Sequence, residues 1–304
     1  QCTSPSEPFW SMYEDKELTL PPNADYEMVG KAPHFQAAAN RWRKGNWTLI
    51  EPRTFAAGRR RKLQGYLGAV SQVDHAVGLM LECLRDNGQA ENTIVVYASD
   101  HGDYATEHGI MEKAPGICSD AITRVPYIWN WPGHFEAGHV AEEIVEAVDL
   151  APTLARLAGL RQLESFDGKD ISHLLAGQNG EVREVGVTEF AWSKSLRKGR
   201  WRLVYYAPEM FEDEFPDGFG ELYDLEEDPW EMRNLYFERE YQDVVNRLHR
   251  DLTEWLITTT RPTTVLGATG WESPSAHTRY GHTVGPDGKL PPDKIRQART
   301  QNYI

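Results

Sequence analysis

The stretch from Thr93 to Asp103 constrains the fold more than any other part of the sequence. It begins as Thr-Ile-Val-Val-Tyr-Ala, a run of β-branched and aromatic residues without polar alternation, and it ends in Ser-Asp-His-Gly-Asp. Such an apolar run is typical of a strand whose two faces are both buried in a parallel sheet. The sequence therefore predicts an α/β domain with an interior strand at this position.

Two polar side chains, Asp100 and His101, follow this strand directly. Ligands of open α/β sheets bind just beyond the carboxyl ends of the strands, so these two residues are candidates to hold a ligand. The alternative is structural, with Asp100 capping the turn and His101 satisfied within the loop. A polar loop that carries His108 and Lys113 comes next.

Regular spacing of apolar residues on both sides of this strand predicts helices. Apolar residues recur every three or four positions across residues 59–87, which predicts a long amphipathic helix. The cations at its start, residues 59–62, are expected to lie in solvent or to face a partner. Further along, residues 141–148 are predicted to form a strand, and Asp149 is expected to cap the helix that follows it.

The character of the sequence changes near residue 192. Residues 196–206 predict a hairpin with its turn at Lys198-Gly199, and residues 221–225 predict a matching strand. Residues 241–257 predict a helix with one apolar face. These elements together predict a small antiparallel α+β subdomain.

Composition narrows the classes of function. The chain has 304 residues and a net charge of −14, which argues against a nucleic-acid partner. No apolar run approaches the roughly 20 residues that span a bilayer, so we expect no membrane span. Three cysteines, Cys2, Cys83 and Cys118, are too few and too scattered for a disulfide framework or a zinc site.

The C-terminal tail, residues 261–304, shows no sustained periodicity and interleaves basic with aromatic side chains. It is too irregular to form a core of its own. We expect it either to pack across a subunit boundary, in a homo-oligomer, or to lie on its own protomer.

Six motifs occur in an order that resembles the C-terminal part of the sulfatases, in the sulfatase and phosphonate monoester hydrolase branch of the alkaline-phosphatase-like superfamily. They are Ser99–Asp103, Glu107–Gly109 with Lys113, Arg124–Pro126, Val148–Leu154, Phe166–Ile171 and Leu222–Glu231. The resemblance implies an α/β, alkaline-phosphatase-like sandwich with a mixed, mainly parallel sheet, and a small C-terminal antiparallel α+β subdomain. The expected domains are residues 1–192, the C-terminal part of the catalytic domain, then the subdomain at 193–260 and the extended tail at 261–304.

The resemblance also implies a function, that of a formylglycine-type sulfuric ester hydrolase that uses one divalent metal ion. Asp100 and His101 would be metal ligands, with Ca²⁺ in first place and Mn²⁺ or Mg²⁺ as alternatives. Lys113, thirteen positions after Asp100, would bind the sulfate and act in catalysis. His108 would either assist the leaving group or brace the loop.

One motif of the sulfatases is missing from this sequence. Their nucleophile lies in Cys-x-Pro-Ser-Arg or Cys-x-Ala-Ser-Arg, and the segment Cys2–Ser6 is rejected as a match because its proline falls one position late and no arginine follows. We therefore expect this chain to be the C-terminal half of an enzyme, to lack the nucleophile, and to be inactive without its N-terminal half. The expected substrate is a sulfated small molecule or carbohydrate.

Other functions remain open on this sequence. A phosphonate monoester or phosphodiester hydrolase of the same superfamily is the nearest, because Asp followed by His, as in Asp100-His101, occurs in both groups. A non-catalytic assembly fragment, which uses the acidic surface and the basic tail, is the alternative outside catalysis.

Overall fold

The chain forms two compact units that alternate along the sequence. The computed structural model describes residues 4–25, 28–43, 55–111, 113, 118–161, 166–190 and 192–259, with the backbone of residues 278–279 and 282–283. The first unit comprises Gln1–Glu27, Ala39–Lys113 and Asp120–Arg183, and the second comprises Met28–Ala38, Ala114–Ser119 and Glu184–Ile304. The domain boundaries expected at residues 192 and 260 stay a prediction.

Helices and strands are both well represented in the described ranges. The α-helices are α1 (Pro33–Arg43), α2 (Phe55–Asp86), α3 (Asp120–Thr123), α4 (Leu150–Leu157), α5 (Ser172–Leu175) and α6 (Gln242–Thr259). The strands are β1 (Val95–Ala98), β2 (Tyr127–Asn130), β3 (Gly186–Phe190), β4 (Ser193–Lys198), β5 (Trp201–Tyr206), β6 (Gly220–Asp224), β7 (Thr278–Arg279) and β8 (His282–Thr283). Each strand pair in these ranges is antiparallel.

The first unit places the long helix α2 before the strand β1, as the sequence predicts. The burial predicted for β1 is wrong in the described chain, because Val95 and Val96 are half-buried while Tyr97 and Ala98 are exposed. Among the residues that the structure describes, β2 is the one strand paired with β1, so its sheet has two strands instead of the expected interior position. The strand prediction itself is confirmed.

The cations at the start of α2 are not all in solvent, contrary to the expectation. Arg59 is buried, and its Nη1 donates to the carbonyl oxygen of Ala24 at 3.0 Å and to Asp25 Oδ1 at 2.8 Å. Lys62 is buried as well. Burial of a guanidinium requires paired acceptors, which the segment at residues 24–25 supplies. Arg59 thereby ties this segment to α2.

In the second unit, β3 to β6 form a four-stranded antiparallel sheet in chain order. The hairpin predicted at 196–206 is confirmed, with β4 ending at Lys198 and β5 beginning at Trp201. Gly199 in its turn has a φ of 54°, a left-handed conformation that glycine adopts without a steric cost.

Helix α6 covers this sheet with the apolar face that the sequence predicts. Val245, Leu248 and Leu252 repeat at helical spacing and form one buried cluster with leucines of three strands, namely Leu196, Leu203 and Leu222. Full burial of each such side chain contributes about 1.5–3 kcal/mol, so this interface is a main source of stability in the second unit.

We expect His249 on α6 to make the second unit sensitive to acid. Burial lowers the pKa of His249 below its ordinary value of 6.5, and its Nε2 lies 3.0 Å from the Tyr236 hydroxyl. The fold thus favours the neutral ring, so its contribution is present above the unfolded pKa and is lost as pH falls from there through the folded pKa. We expect the urea midpoint of the chain to fall between about pH 7.5 and about pH 5, and to fall less in His249→Gln. Equal pH dependence of the two proteins would contradict this assignment.

No helix in the described ranges is both long enough and apolar enough to cross a membrane. The predicted subunit contact of the tail falls on residues 261–304, which lie outside the described residues apart from the backbone of β7 and β8. That contact stays a prediction.

Candidate active site

The segment Ser99–Asp103 folds into a tight turn at the carboxyl end of β1. The Ser99 hydroxyl donates to the carbonyl oxygen of His101 at 2.7 Å, and the backbone N–H of His101 donates to Asp100 Oδ1 at 3.0 Å. These two bonds hold the backbone so that the side chains of Asp100 and His101 stand next to each other.

Gly102 allows this turn to pack tightly against helix α3. Its N–H donates to the carbonyl oxygen of Ile122 at 2.8 Å. A Cβ at this position would lie 1.9 Å from the carbonyl oxygen of Ala121, far inside van der Waals contact. The turn can therefore hold its place only with glycine here.

Two contacts define the protonation of the His101 ring. Its Nδ1 lies 2.8 Å from the carbonyl oxygen of Gly102, and because a carbonyl only accepts, Nδ1 carries the proton. Nε2 is then an acceptor, and the Lys113 ammonium donates to it at 2.8 Å. Both contacts fit the same neutral tautomer.

Asp100 lies beside the same ring nitrogen. Its Oδ2 is 3.7 Å from His101 Nε2, and its side chain is 86% exposed while that of His101 is 36% exposed. The structure thus brings Asp100, His101 and Lys113 together around one atom. A carboxylate and an ammonium that both face a solvent-accessible position can bind a cation and an anion side by side.

His108, the fourth predicted residue, has a buried position. Its Nε2 lies 3.2 Å from Nδ2 of Asn23, and both side chains are fully buried. Sequence reasoning missed Asn23, since 85 positions separate the two residues and no local pattern joins them.

The loop that carries His108 has an unusual backbone. Ala105, Thr106 and His108 have φ values of 42°, 85° and 51°, all in the left-handed region that side chains disfavour. Each such residue costs of order 1–3 kcal/mol and persists where the surroundings impose it. Strain of this kind is concentrated at functional sites, and here it lies in the segment that leads to Lys113.

Asp100 and His101 fit a divalent metal ion in part. They offer a hard carboxylate oxygen and an imidazole nitrogen 3.7 Å apart, a donor set that suits Ca²⁺, Mn²⁺ or Mg²⁺. The described residues contain no group of three or more His, Cys, Asp or Glu placed to hold a metal. A complete metal site here would require further ligands from outside the described ranges, and the metal roles of both residues stay predictions.

Comparison with known proteins identifies the family to which this chain is similar. Residues 12–160 match the sulfatase family profile, and residues 106–257 match the profile described as N-sulphoglucosamine sulphohydrolase, C-terminal. An arylsulfatase of Clostridium perfringens (strain 13 / Type A) is 26% identical over 261 residues, which are 83% of this chain and 51% of that protein. The chain spans about half the length of the curated relatives it matches.

Two solved structures show the same fold. One, solved in complex with its substrate D-glucosamine-2-N,6-O-disulfate, superposes with a TM-score of 0.70 at 20% identity, over 84% of this chain and 63% of that chain. The other, a phosphonate monoester hydrolase from Silicibacter pomeroyi, superposes with a TM-score of 0.71 at 23% identity, over 86% and 56%. The expected α/β, alkaline-phosphatase-like fold is confirmed. With the two profiles matching from residue 12 to residue 257, this chain belongs to the sulfatase family.

Proposed function

We propose that this chain forms part of a sulfuric ester hydrolase, in which it contributes to the metal site and to the sulfate site. The observation that carries the proposal is the convergence of Asp100 and Lys113 on Nε2 of His101, at 3.7 Å and 2.8 Å. Asp100 and His101 follow the carboxyl end of β1, and the loop that continues from there brings Lys113 back to them.

Lys113 would bind the sulfate group of the ester. Negative charge spreads over the ester oxygens during transfer of the sulfuryl group, and an ammonium is a compact donor that can stabilise it. For this role the Lys113 ammonium would leave His101 Nε2, to which it donates at 2.8 Å, and would donate instead to an oxygen of the ester.

Asp100 and His101 would hold the divalent ion, Ca²⁺ in first place and Mn²⁺ or Mg²⁺ as alternatives. The ion would neutralise charge on the ester and orient the nucleophile. Gly102 keeps the His101 proton on Nδ1, so Nε2 is the atom available for a metal or for Lys113, one at a time.

The remaining parts of the site would come from polypeptide outside this chain. We propose that an N-terminal half of the same enzyme supplies the formylglycine nucleophile and the other metal ligands, and that the chain is inactive without it. The length of the curated relatives, about twice the matched region, supports this arrangement.

A sulfated small molecule or carbohydrate is the proposed substrate, with a sulfated sugar in first place. The solved neighbour bound to D-glucosamine-2-N,6-O-disulfate supports a sugar. The phosphonate monoester hydrolase among the neighbours favours a second candidate, a phosphonate monoester or phosphodiester, because Lys113 would neutralise either anion equally well.

The test uses the complete enzyme and two esters of one phenol, para-nitrophenyl sulfate and para-nitrophenyl phenylphosphonate. We expect higher kcat/KM with the sulfate, and loss of activity with EDTA that is restored by Ca²⁺. A preference for the phosphonate would select the second candidate. Hydrolysis of neither ester by a protein loaded with metal would favour a non-catalytic assembly role.

A further inference from the structure

We propose that Asn23 holds His108 in its neutral, Nδ1-protonated tautomer, and that His108 is consequently a positioning residue for the loop leading to Lys113 and not the acid that protonates the leaving group. The positioning part rests on the proposed function, whereas the tautomer can be measured without it.

The orientation of the Asn23 amide follows from its two neighbours. Its Nδ2 lies 3.2 Å from His108 Nε2 and 3.4 Å from Glu107 Oε2. A carboxylate only accepts hydrogen bonds, so the amide group that faces Glu107 is the NH₂ and not the oxygen. The amide nitrogen has two hydrogens, one for each of these acceptors.

The tautomer of His108 follows from this orientation. Because Asn23 donates to Nε2, this nitrogen must be the unprotonated one, and the ring proton lies on Nδ1. A proton on Nε2 would set two donors against each other at 3.2 Å, between side chains that are fully buried. Nε2 therefore has neither a proton to give nor contact with solvent.

The contact between Asn23 and His108 also connects the loop that carries His108 to α2. Arg59 holds Ala24 and Asp25 at 3.0 Å and 2.8 Å, and the preceding residue, Asn23, holds the His108 ring. His108 has a φ of 51°, so its backbone depends on such external contacts. The loop continues for five residues from His108 to Lys113. Asn23 thus helps to fix where the ammonium of Lys113 lies.

The tautomer is measured by long-range ¹H–¹⁵N NMR of the 304-residue chain labelled with ¹⁵N-histidine, with the His108 signals assigned by their loss in His108→Gln. We expect Nε2 in the unprotonated range and Nδ1 in the protonated range from about pH 6 to about pH 8. A proton on Nε2, in either the neutral or the charged ring, would overturn the proposal.

Two variants test whether Asn23 selects the tautomer of His108. Asn23→Asp replaces the donor by an acceptor and is expected to move the proton to Nε2, whereas Asn179→Ala, at an exposed asparagine, is expected to leave the His108 signals unchanged. An unchanged spectrum in Asn23→Asp would show that Asn23 does not select the tautomer. If this variant does not fold, the wild-type spectrum still decides whether Nε2 of His108 carries a proton.

The positioning role is tested in the complete enzyme through the pH profile of kcat. His108→Gln is expected to lower kcat by about tenfold to hundredfold while both limbs of the profile remain. Loss of the basic limb in this variant would identify His108 as the acid and overturn the role. Absence of sulfatase activity in the wild type, together with an unprotonated Nε2, would instead count against the proposed function alone.

Discussion

Replacing Asp149 by alanine is expected to lower the free energy of unfolding by about 3–5 kcal/mol, because it leaves a buried guanidinium without its main partner. Asp149 is fully buried, and its two oxygens accept from Arg183 Nη1 at 2.6 Å and Nη2 at 2.5 Å. They also accept from the backbone N–H groups of Lys169 at 2.7 Å and Glu146 at 2.8 Å. A native protein is stable by only about 5–15 kcal/mol, so the loss is severe.

Urea unfolding of the chain measures this effect. Asp149→Asn, which keeps one oxygen acceptor, is expected to lose less than Asp149→Ala. The control is Glu189→Ala, which breaks an ion pair of 3.0 Å with Lys194 at a side chain that is 54% exposed and should cost at most about 1 kcal/mol. Similar small losses in Asp149→Ala and Glu189→Ala would show that the buried cluster does not hold the first unit together.

Replacing Lys113 by alanine in the complete enzyme is expected to lower kcat/KM for a sulfate ester by about 10²–10³-fold, the usual effect of removing one donor to a developing oxyanion. Lys113→Arg is expected to recover part of the loss, because it keeps the charge but not the compact geometry of the ammonium. The measurement is steady-state hydrolysis of para-nitrophenyl sulfate, with unfolding midpoints recorded in parallel.

Lys16 provides the matched control, since it is another exposed lysine of the first unit and its ammonium lies 4.9 Å from the Tyr13 ring. Lys16→Ala is expected to keep wild-type kcat/KM. If Lys113→Ala were as active as Lys16→Ala, Lys113 would have no part in the reaction, and its place next to His101 would be structural.

Patterns within short stretches of the sequence correctly predicted two helices and one hairpin. The apolar stripe at residues 59–87 became α2, the one at 241–257 became α6, and Lys198-Gly199 marked the hairpin between β4 and β5. Period and turn chemistry determine such elements over short stretches of chain. The structure places Asp100, His101 and Lys113 together, and the site roles that the sequence suggests for them stay predictions.

Contacts between distant segments were beyond the reach of sequence reasoning. Asp149 was expected to cap α4, but its side chain instead reaches back to the N–H of Glu146 and pairs with Arg183, 34 positions away. The strand expected at residues 141–148 is wrong, because residues 141–146 pair with no strand in the described chain and the stretch ends in the 3₁₀ turn Ala147–Asp149. No local propensity encodes a partner so far along the chain.

The motif Phe166–Ile171 shows what one of these distant contacts requires. A Cβ on Gly168 would lie 1.9 Å from the carbonyl oxygen of Val148, so glycine is needed for the two segments to meet. The following N–H, from Lys169, then reaches Asp149 at 2.7 Å. The sequence displayed both motifs, but the contact between them appears only in three dimensions.

We propose that Asp100 and His101 hold a divalent ion while Lys113 faces the anion bound next to it. A crystal structure of the complete enzyme with Ca²⁺ and sulfate tests it most directly. We predict Ca²⁺ at about 2.3–2.6 Å from a carboxylate oxygen of Asp100, and the Lys113 ammonium at about 2.7–3.2 Å from a sulfate oxygen. A cation bound away from Asp100, or a sulfate without contact to Lys113, would contradict this arrangement.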